Sequence, residues 1–443
     1  MNPNATELRL SLTLAGAVSL GSYEAGALAA LVGAAQQTRT SSGPHIVIDS
    51  IAGASAGSVT AILTAYSLLT GADPVKTMWS GWVDAPDIKQ MISKSPVSPL
   101  STEFVEQMAR GLLKEVPISR SAQTEPVRLS MALGNLQGLG YEIRQARSKQ
   151  SLDAMTFIDW AEFTVSADAT DGHVYPWDLK LLDFALASSA NPLGFPPRGA
   201  DRTQDVDTYK KNGVLNFPDS RFFWYTDGGM IDNEPLGRTI DLANTIDKSL
   251  EQSLEYDRIL LLIHPHPQTP KQLMDWTQPD GAPSWAKTFI RADQMSRSQS
   301  LYDDLRRLEK SNSRIRWLKQ VKPLLERLLK EANESQSSEG SAAVDQVLQA
   351  ARHVREEKAS LKGRVATGEL TDRELLESLL NNISGLEGKR EFRVEVISPS
   401  VLAKKEPVDK LLAGEFLLHF GDFSTRNFAE VISLSDTVQL RNG

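Results

Sequence analysis

Hydrophobic and polar positions along the first 70 residues follow two different periods. Leu8–Ala15, LRLSLTLA, alternates apolar and polar residues and then becomes apolar, which is the pattern of a β-strand entering a core. Ile46–Ala52 is a second apolar run of strand length, and Ser22–Ala35 and Ser58–Leu69 show helical spacing. Strand, turn and helix repeated with short loops predict a parallel sheet covered by helices.

Strand and helix signals continue to about residue 267. Arg221–Gly229, RFFWYTDGG, predicts a strand that ends in a tight turn, and the apolar run Asp257–Pro267 predicts a strand buried on both faces of a sheet. Residues 84–150 are less regular, with predicted helical pieces around 102–114 and 130–146. We interpret 84–150 as a cap or insertion in a domain that spans residues 1–270.

The pattern of apolar and charged residues changes beyond residue 270. Leucine and isoleucine recur at helical spacing among many charged residues, and residues 333–341, NESQSSEGS, break the pattern. A further strand is predicted at Glu391–Ile397. Residues 271–443 are therefore expected to form a mainly helical region, a candidate for regulation or for binding a partner.

Composition narrows the functional classes. The 443 residues carry a net charge of −8 and no cysteine. The acidic balance argues against nucleic-acid binding through phosphate contacts, and the lack of cysteine excludes disulfides, thiolate nucleophiles and zinc–cysteine sites. Leu10–Ala35 is rich in apolar residues, but Glu24 and several glycines interrupt it and only Arg9 precedes it as a basic residue, which argues against a signal peptide or a membrane-spanning helix. We expect a cytoplasmic protein that can meet a membrane at its surface.

The segment DSIAGASAGSVTAIL, Asp49–Leu63, places a serine among tiny residues between a strand and a helix. Gly53, Ser55 and Gly57 match the G-x-S-x-G pattern of a nucleophile elbow, in which a sharp turn lifts the serine hydroxyl out of the sheet. The turn also aims the backbone N–H of Ala56, at the helix N-terminus, toward a developing oxyanion. Ser55 is therefore a candidate nucleophile; the alternative is a tight turn in which Ser55 only caps the helix.

Two other glycine-rich turns can serve the same site. Gly16–Gly21, after the first strand, can expose backbone N–H groups to an anion, and it fits an oxyanion loop facing Ser55 better than a nucleotide motif. The alternative is that Gly21 and Gly26 allow close helix packing. Asp227 ends a strand before Gly228 and Gly229 and is a candidate base or the orienting acid of a triad; alternatively, it bonds its own turn.

A serine nucleophile needs a base, which histidine can supply. In the order serine, acid, histidine, the candidates for a Ser–Asp–His esterase are His264 and His266. The HPH sequence could also suggest a metal pair, but no third ligand with motif spacing is visible. We therefore predict no metal site.

Taken together, these segments resemble the patatin-like phospholipase family, in its bacterial branch. Four blocks match in order: Gly16–Gly21 with the following YEAGAL, the elbow Gly53–Gly57, ASSANPLGFPP at Ala187–Pro197, and Asp227–Gly229 followed by MIDNEP. The resemblance covers roughly residues 8–267. It implies a three-layer α/β/α core with a largely parallel sheet.

The resemblance also implies a mechanism. Ser55 would be the nucleophile and Asp227 the base of a Ser–Asp dyad without a catalytic histidine, cleaving acyl esters of phospholipid or another lipid through an acyl-serine. Backbone N–H groups around Gly16, Ala17 and Val18, with Ala56, would hold the oxyanion. Membrane or micellar lipid would be the substrate, and no metal or organic cofactor would be needed. Some members of the family are switched on by a partner, and the C-terminal region is the expected place for such a contact.

One departure from the family pattern concerns the first loop. The family usually has three glycines there and a basic residue two positions on, whereas this chain has Gly16, Ala17 and Val18, with Leu20 at the basic position. Alanine and valine adopt positive φ with difficulty, so slow hydrolysis or an unusual substrate is expected. Two alternatives stay open: the Ser–Asp–His esterase, and a non-catalytic member that binds lipid or a partner.

Overall fold

The computed structural model describes fourteen stretches of the chain. They are residues 6–17, 20–40, 45–84, 87–94, 98–113, 118–144, 151–167, 174–175, 179–250, 254–265, 300–313, 315–316, 319 and 391–397. The chain divides into two compact units, Met1–Asp304 together with Arg393–Gly443, and Leu305–Phe392. The predicted boundary near residue 270 remains a prediction.

The first unit contains the strands and helices that matter for the site. Its strands are β1 (Glu7–Leu14), β2 (His45–Gly53), β3 (Val127–Arg144), β4 (Ser151–Ala167), β5 (Val174–Tyr175), β6 (Arg198–Asp201), β7 (Phe222–Asp227), β8 (Tyr256–Ile263) and β9 (Arg393–Ile397). Its helices are α1 (Gly21–Arg39), α2 (Ala56–Thr70), α3 (Pro74–Trp79), α4 (Ile88–Met91), α5 (Glu103–Leu112), α6 (Leu179–Ser188), α7 (Val206–Lys211) and α8 (Leu236–Ser249). Short π-helical and 3₁₀ turns lie at Ser80–Asp84, Thr203–Asp205 and Gly228–Met230.

The strands form one mixed sheet flanked by helices. Strands β9, β8, β1, β2 and β3 lie side by side in that order and run parallel. Strands β4 and β7 both pair antiparallel with β3, and β6 pairs antiparallel with β7. The predicted fold class is thereby confirmed, as are the strand predicted at Glu391–Ile397 and the first two βα units.

The alternating sequence of β1 reflects two different faces of the sheet. Leu8, Leu10, Leu12 and Leu14 are fully buried and join the apolar core that includes residues of α1 and α2. The residues between them point to the other face, where Thr13 Oγ1 lies 2.7 Å from Thr239 Oγ1 on α8. Polar positions in this strand are therefore buried as well, and hydrogen bonds compensate for their loss of water.

Charged side chains inside the sheet are paired. Asp49 on β2 accepts hydrogen bonds from Arg258 on β8 at 2.8 Å, through both of its oxygens, and from Arg9 on β1 at 2.9 Å. Arg258 also contacts Asp247 on α8 at 2.7 Å. Because an unpaired buried charge is costly, this network ties three strands and one helix to a single register.

The helix predicted at residues 130–146 is wrong. Residues 127–144 form β3, which lies inside the sheet, so this part of the predicted cap belongs to the core architecture. Leu129, Met131 and Leu133 alternate and are all fully buried, which is strand periodicity. The short helices α4 and α5 are the described helical parts of 84–150.

The topology brings two strand ends together. Strand β2 ends at Gly53, opposite Met131 of β3, and β7 ends at Asp227, opposite Leu133 of the same strand. Because β2 runs parallel to β3 and β7 runs antiparallel, their carboxyl ends point toward each other along β3. Residues just beyond Gly53 therefore lie next to Asp227.

No helix in the described stretches is long and apolar enough to cross a bilayer. In the second unit, residues 305–313 are helical, and Leu308 and Ile315 are buried. The Asn312 side chain exchanges two hydrogen bonds with the Phe392 backbone, at 2.7 and 3.0 Å.

Candidate active site

Ser55 stands at a sharp turn between β2 and α2. Its backbone has φ 52° and ψ −124°, an unusual conformation for a non-glycine residue. A Cβ on Gly53 would lie 2.7 Å from the carbonyl of Gly57, and a Cβ on Gly57 would lie 2.5 Å from the carbonyl oxygen of Leu14. Both glycines are therefore needed because strand and helix backbones pass too closely for a side chain.

The Ser55 hydroxyl meets the carboxylate of Asp227. Ser55 Oγ donates to Asp227 Oδ2 at 2.9 Å, across 172 positions of sequence. The other oxygen of Asp227 accepts the Gly229 N–H at 2.8 Å, and Asn191 Nδ2 lies 3.4 Å from Oδ2. Asp227 is 1% exposed and Ser55 6% exposed. A largely desolvated carboxylate is thus oriented toward one serine hydroxyl.

The glycines after Asp227 let the turn pack against β3 and the elbow. A Cβ on Gly228 would lie 2.1 Å from the Ala132 carbonyl oxygen. A Cβ on Gly229 would lie 3.1 Å from Asp227 Oδ1 and 3.4 Å from Ser55 Cβ. A side chain at Gly228 would therefore clash with the backbone of β3, and one at Gly229 would contact the Asp227 carboxylate and Ser55.

Two serines at the end of α6 hold the Ser55 peptide groups. Ser188 Oγ accepts the Ser55 N–H at 3.0 Å, and Ser189 Oγ donates to the Ser55 carbonyl at 2.8 Å. Ser188 also shares a 2.8 Å hydrogen bond with Ser58 Oγ. Sequence reasoning included these serines in the ASSANPLGFPP block but assigned them no role.

The glycine-rich loop after β1 lies beside the elbow. A Cβ on Gly16 would lie 3.3 Å from Ser55 Cβ, so the loop and the serine are neighbours. The Gly16 N–H donates to the Asn233 carbonyl at 2.8 Å, so this N–H already has an acceptor within the protein. Within the described stretches, the N–H groups of Ala17 and Ala56 have no acceptor. Val18 lies outside the described residues.

His264 contacts a carboxylate other than Asp227. Its Nε2 lies 2.9 Å from Glu234 Oε1, and the same oxygen accepts from Asn233 Nδ2 at 3.0 Å. His266, the other histidine candidate, lies outside the described residues. Asn233 and Glu234 were visible in the sequence only as part of MIDNEP, with no signal that pointed to this contact.

Asp232 is a strongly perturbed acid beside this cluster. Burial, with the nearby carboxylate of Asp304 and a smaller effect of Glu234, raises the pKa of Asp232 from 3.8 to about 7. The Ser300 hydroxyl acts in the opposite direction through a hydrogen bond. No group of three or more metal-ligating side chains that could hold an ion is found in the described stretches.

A strand–turn–helix elbow that carries a serine is typical of hydrolases with an α/β fold. A family model described as patatin-like phospholipase matches residues 12–240, more than half of the chain. The chain therefore belongs to the patatin-like phospholipase family, and lipid acyl hydrolysis is the activity that the family implies.

The other comparisons add little detail. The crystal structure of VipD from Legionella pneumophila is similar over 97% of this chain and 88% of that chain, with 12% sequence identity and a TM-score of 0.25. A comparison with curated proteins gives no match. The bacterial branch of the family stays a prediction.

Proposed function

We propose that the protein is a serine lipid acyl hydrolase of the phospholipase A or lysophospholipase type, working through a Ser55–Asp227 dyad. The observation that carries the proposal is the 2.9 Å hydrogen bond from Ser55 Oγ to a buried Asp227 oxygen at a strained elbow. Because Asp227 is almost fully buried, little water competes with the Ser55 hydroxyl for its carboxylate.

The reaction begins when Ser55 Oγ attacks the ester carbonyl carbon of an acyl lipid. The hydroxyl proton passes to Asp227 Oδ2, and the carbonyl oxygen becomes an oxyanion within reach of the Ala17 and Ala56 N–H groups. When the tetrahedral intermediate collapses, the leaving alcohol takes the proton from Asp227 and the acyl group remains on Ser55. Water activated by Asp227 then releases the fatty acid.

The substrate class follows from this chemistry and from family membership. The proposed reaction draws its ester from membrane or micellar lipid and uses no metal or organic cofactor. The acidic net charge of −8 gives no support for a nucleic-acid partner. The C-terminal region, residues 271–443, is the proposed place for an activator or other partner.

Kinetics of two variants test the proposal with a short-chain aryl ester. Ser55→Ala is expected to abolish turnover, and Asp227→Asn to reduce kcat about 10²- to 10⁴-fold because the amide cannot accept the proton. Ser67→Ala and Asp219→Asn are matched controls away from the dyad and are expected to keep wild-type rates. A wild-type rate in either dyad variant, with folding unchanged, contradicts the proposal.

A further inference from the structure

A chain of hydrogen bonds runs from the end of β8 to the loop beside Ser55. His264 Nε2 lies 2.9 Å from Glu234 Oε1, and that oxygen also accepts from Asn233 Nδ2 at 3.0 Å. Asn233 Nδ2 lies 3.3 Å from the Gly16 carbonyl oxygen, and the Asn233 carbonyl accepts the Gly16 N–H at 2.8 Å. Asn233 therefore holds both backbone polar groups of Gly16.

The three side chains of this hydrogen-bond chain are buried, so water does not readily replace a hydrogen bond that is lost between them. Asn233 is 7% exposed, Glu234 2% and His264 5%. The far end is fixed to the sheet, since the His264 backbone N–H donates to the Ile397 carbonyl on β9 at 2.9 Å. Because a buried polar group without a partner is costly, breaking one bond is expected to shift the neighbouring groups.

The near end of the chain fills the space between the loop and the nucleophile. Asn233 Oδ1 lies 2.3 Å from the position that a Cβ on Gly16 would take, and that same position is 3.3 Å from Ser55 Cβ. The side chain of Asn233 thus sets how closely Gly16 approaches Ser55. The Gly16 carbonyl and the Ala17 N–H belong to the same planar peptide group. Holding that carbonyl therefore also sets the direction of the Ala17 N–H.

We propose that Asn233, Glu234 and His264 are positioning residues, which we call the loop brace, for the oxyanion loop of this site. The assignment rests on the proposed acyl hydrolase function and deepens it. The brace touches no reacting atom and acts through Gly16. Oxyanion donors work only at about 2.7–3.1 Å from the oxyanion, so the rate depends on where this loop is held.

The brace gives His264 a role that differs from general-base catalysis. A base must take a proton, which glutamine cannot do, whereas the brace needs only an N–H that reaches Glu234. The Nε2 amide of glutamine can supply that N–H. His264→Gln therefore separates the loop brace from the Ser–Asp–His alternative.

The test measures kcat and KM of the full chain on a short-chain aryl ester between pH 5 and 9. His264→Leu is expected to lower kcat about 10- to 100-fold, since displacing a catalytic group by about 1 Å costs on that order. KM and the inflection of the pH profile are expected to stay in place, because substrate binding and the base are untouched. His264→Gln is expected to recover most of the loss. His45→Leu is the matched control, because the His45 ring contacts the Thr38 carbonyl at 2.9 Å, away from the brace, and it is expected to match wild type.

Each other outcome overturns the assignment. Equal loss in folded His264→Leu and His264→Gln would identify the histidine as a base, and wild-type kcat in His264→Leu would leave the brace without effect. If His264→Leu does not fold, Asn233→Ser carries the test, with the same kcat loss at constant KM expected and wild-type kinetics contradicting it. An inactive wild-type chain would overturn both the proposed function and this assignment. An active wild-type chain whose variants match it would overturn this assignment alone.

Discussion

Ser55 holds a backbone conformation that its surroundings must impose. A φ of 52° with a ψ of −124° costs about 1–3 kcal/mol for a non-glycine residue. The N–H of Ser55 donates to Ser188 Oγ and its carbonyl accepts from Ser189 Oγ, at 3.0 and 2.8 Å. The strained Ser55 is thus held at both of its backbone polar groups by the end of α6.

Removing one of these bonds should affect stability and rate together. Ser188→Ala leaves the buried Ser55 N–H without an acceptor, which is expected to lower the unfolding free energy by about 1–3 kcal/mol. If Ser55 is the nucleophile as proposed, we expect kcat to fall about tenfold or more as its side chain loses its fixed position. Urea unfolding and ester hydrolysis measure the two effects.

The matched control for Ser188 lies on α2. Ser67 Oγ is buried and has no hydrogen-bond partner among the described residues, so Ser67→Ala is expected to change neither stability nor rate by much. If Ser188→Ala and Ser67→Ala behave alike, Ser188 does not support the elbow.

At the scale of elements, the elbow depends on how closely α2 passes β1. A Cβ on Gly57 would lie 2.5 Å from the Leu14 carbonyl oxygen and 2.9 Å from that of Ala15. Both contacts are with backbone, which cannot move without disturbing the sheet. Helix α2 can therefore pass this close to β1 only because Gly57 has no side chain.

Two glycine-to-alanine changes on neighbouring helices should have opposite effects. Gly57→Ala is expected to lower the unfolding free energy by about 3 kcal/mol, the upper end for overpacking. Gly26→Ala on α1 meets nothing within 4 Å and is expected to raise it by about 0.5–1 kcal/mol, because alanine favours a helix interior. Thermal or urea unfolding compares them. Equal effects of the two changes would contradict the close packing at Gly57.

The elements that the sequence predicts correctly are those with one clear pattern. Helices α1 and α2 and strand β1 each carry a single period, and β2, β7 and β8 are short, mainly apolar runs; the structure has all six within a few residues of the prediction. The helix predicted over β3 is wrong because two patterns overlap there: Leu133, Leu136 and Leu139 lie three residues apart, while Leu129, Met131 and Leu133 alternate. The sequence pattern alone does not distinguish a strand from a helix here. The distinction comes from pairing with β2, β4 and β7.

At the scale of the whole molecule, the site joins distant parts of the chain. The elbow, the Asp227 turn and their glycines could be predicted because family motifs preserve them as local patterns. Asn233, Glu234 and His264 could not be assigned, since their contacts arise only when β8 and the segment after β7 are placed side by side. The same limit applies to the engaged N–H of Gly16.

One buried acid should make the stability of the whole fold depend on pH. Because the folded-state pKa of Asp232 is raised from 3.8 to about 7, its contribution to stability is fully present below about pH 4 and is lost as pH rises through 7. Asp232→Asn removes this titration. We expect its unfolding free energy, relative to wild type, to increase between pH 4 and pH 8.

Urea unfolding at several pH values checks this, with Asp219→Asn at an exposed position as the control. A difference between Asp232→Asn and wild type that stays constant across the range would show that Asp232 does not titrate as the structure implies.

The central claim, that Ser55 is a nucleophile activated by Asp227, is tested most directly by covalent labelling. The full chain is treated with a fluorophosphonate, and the modified peptide is identified by mass spectrometry. The account predicts one adduct on the peptide that contains Ser55, with labelling slowed about 100-fold or more in Asp227→Asn. No adduct at Ser55 under conditions that label a control serine hydrolase, or equal labelling rates in Asp227→Asn and wild type, would contradict it.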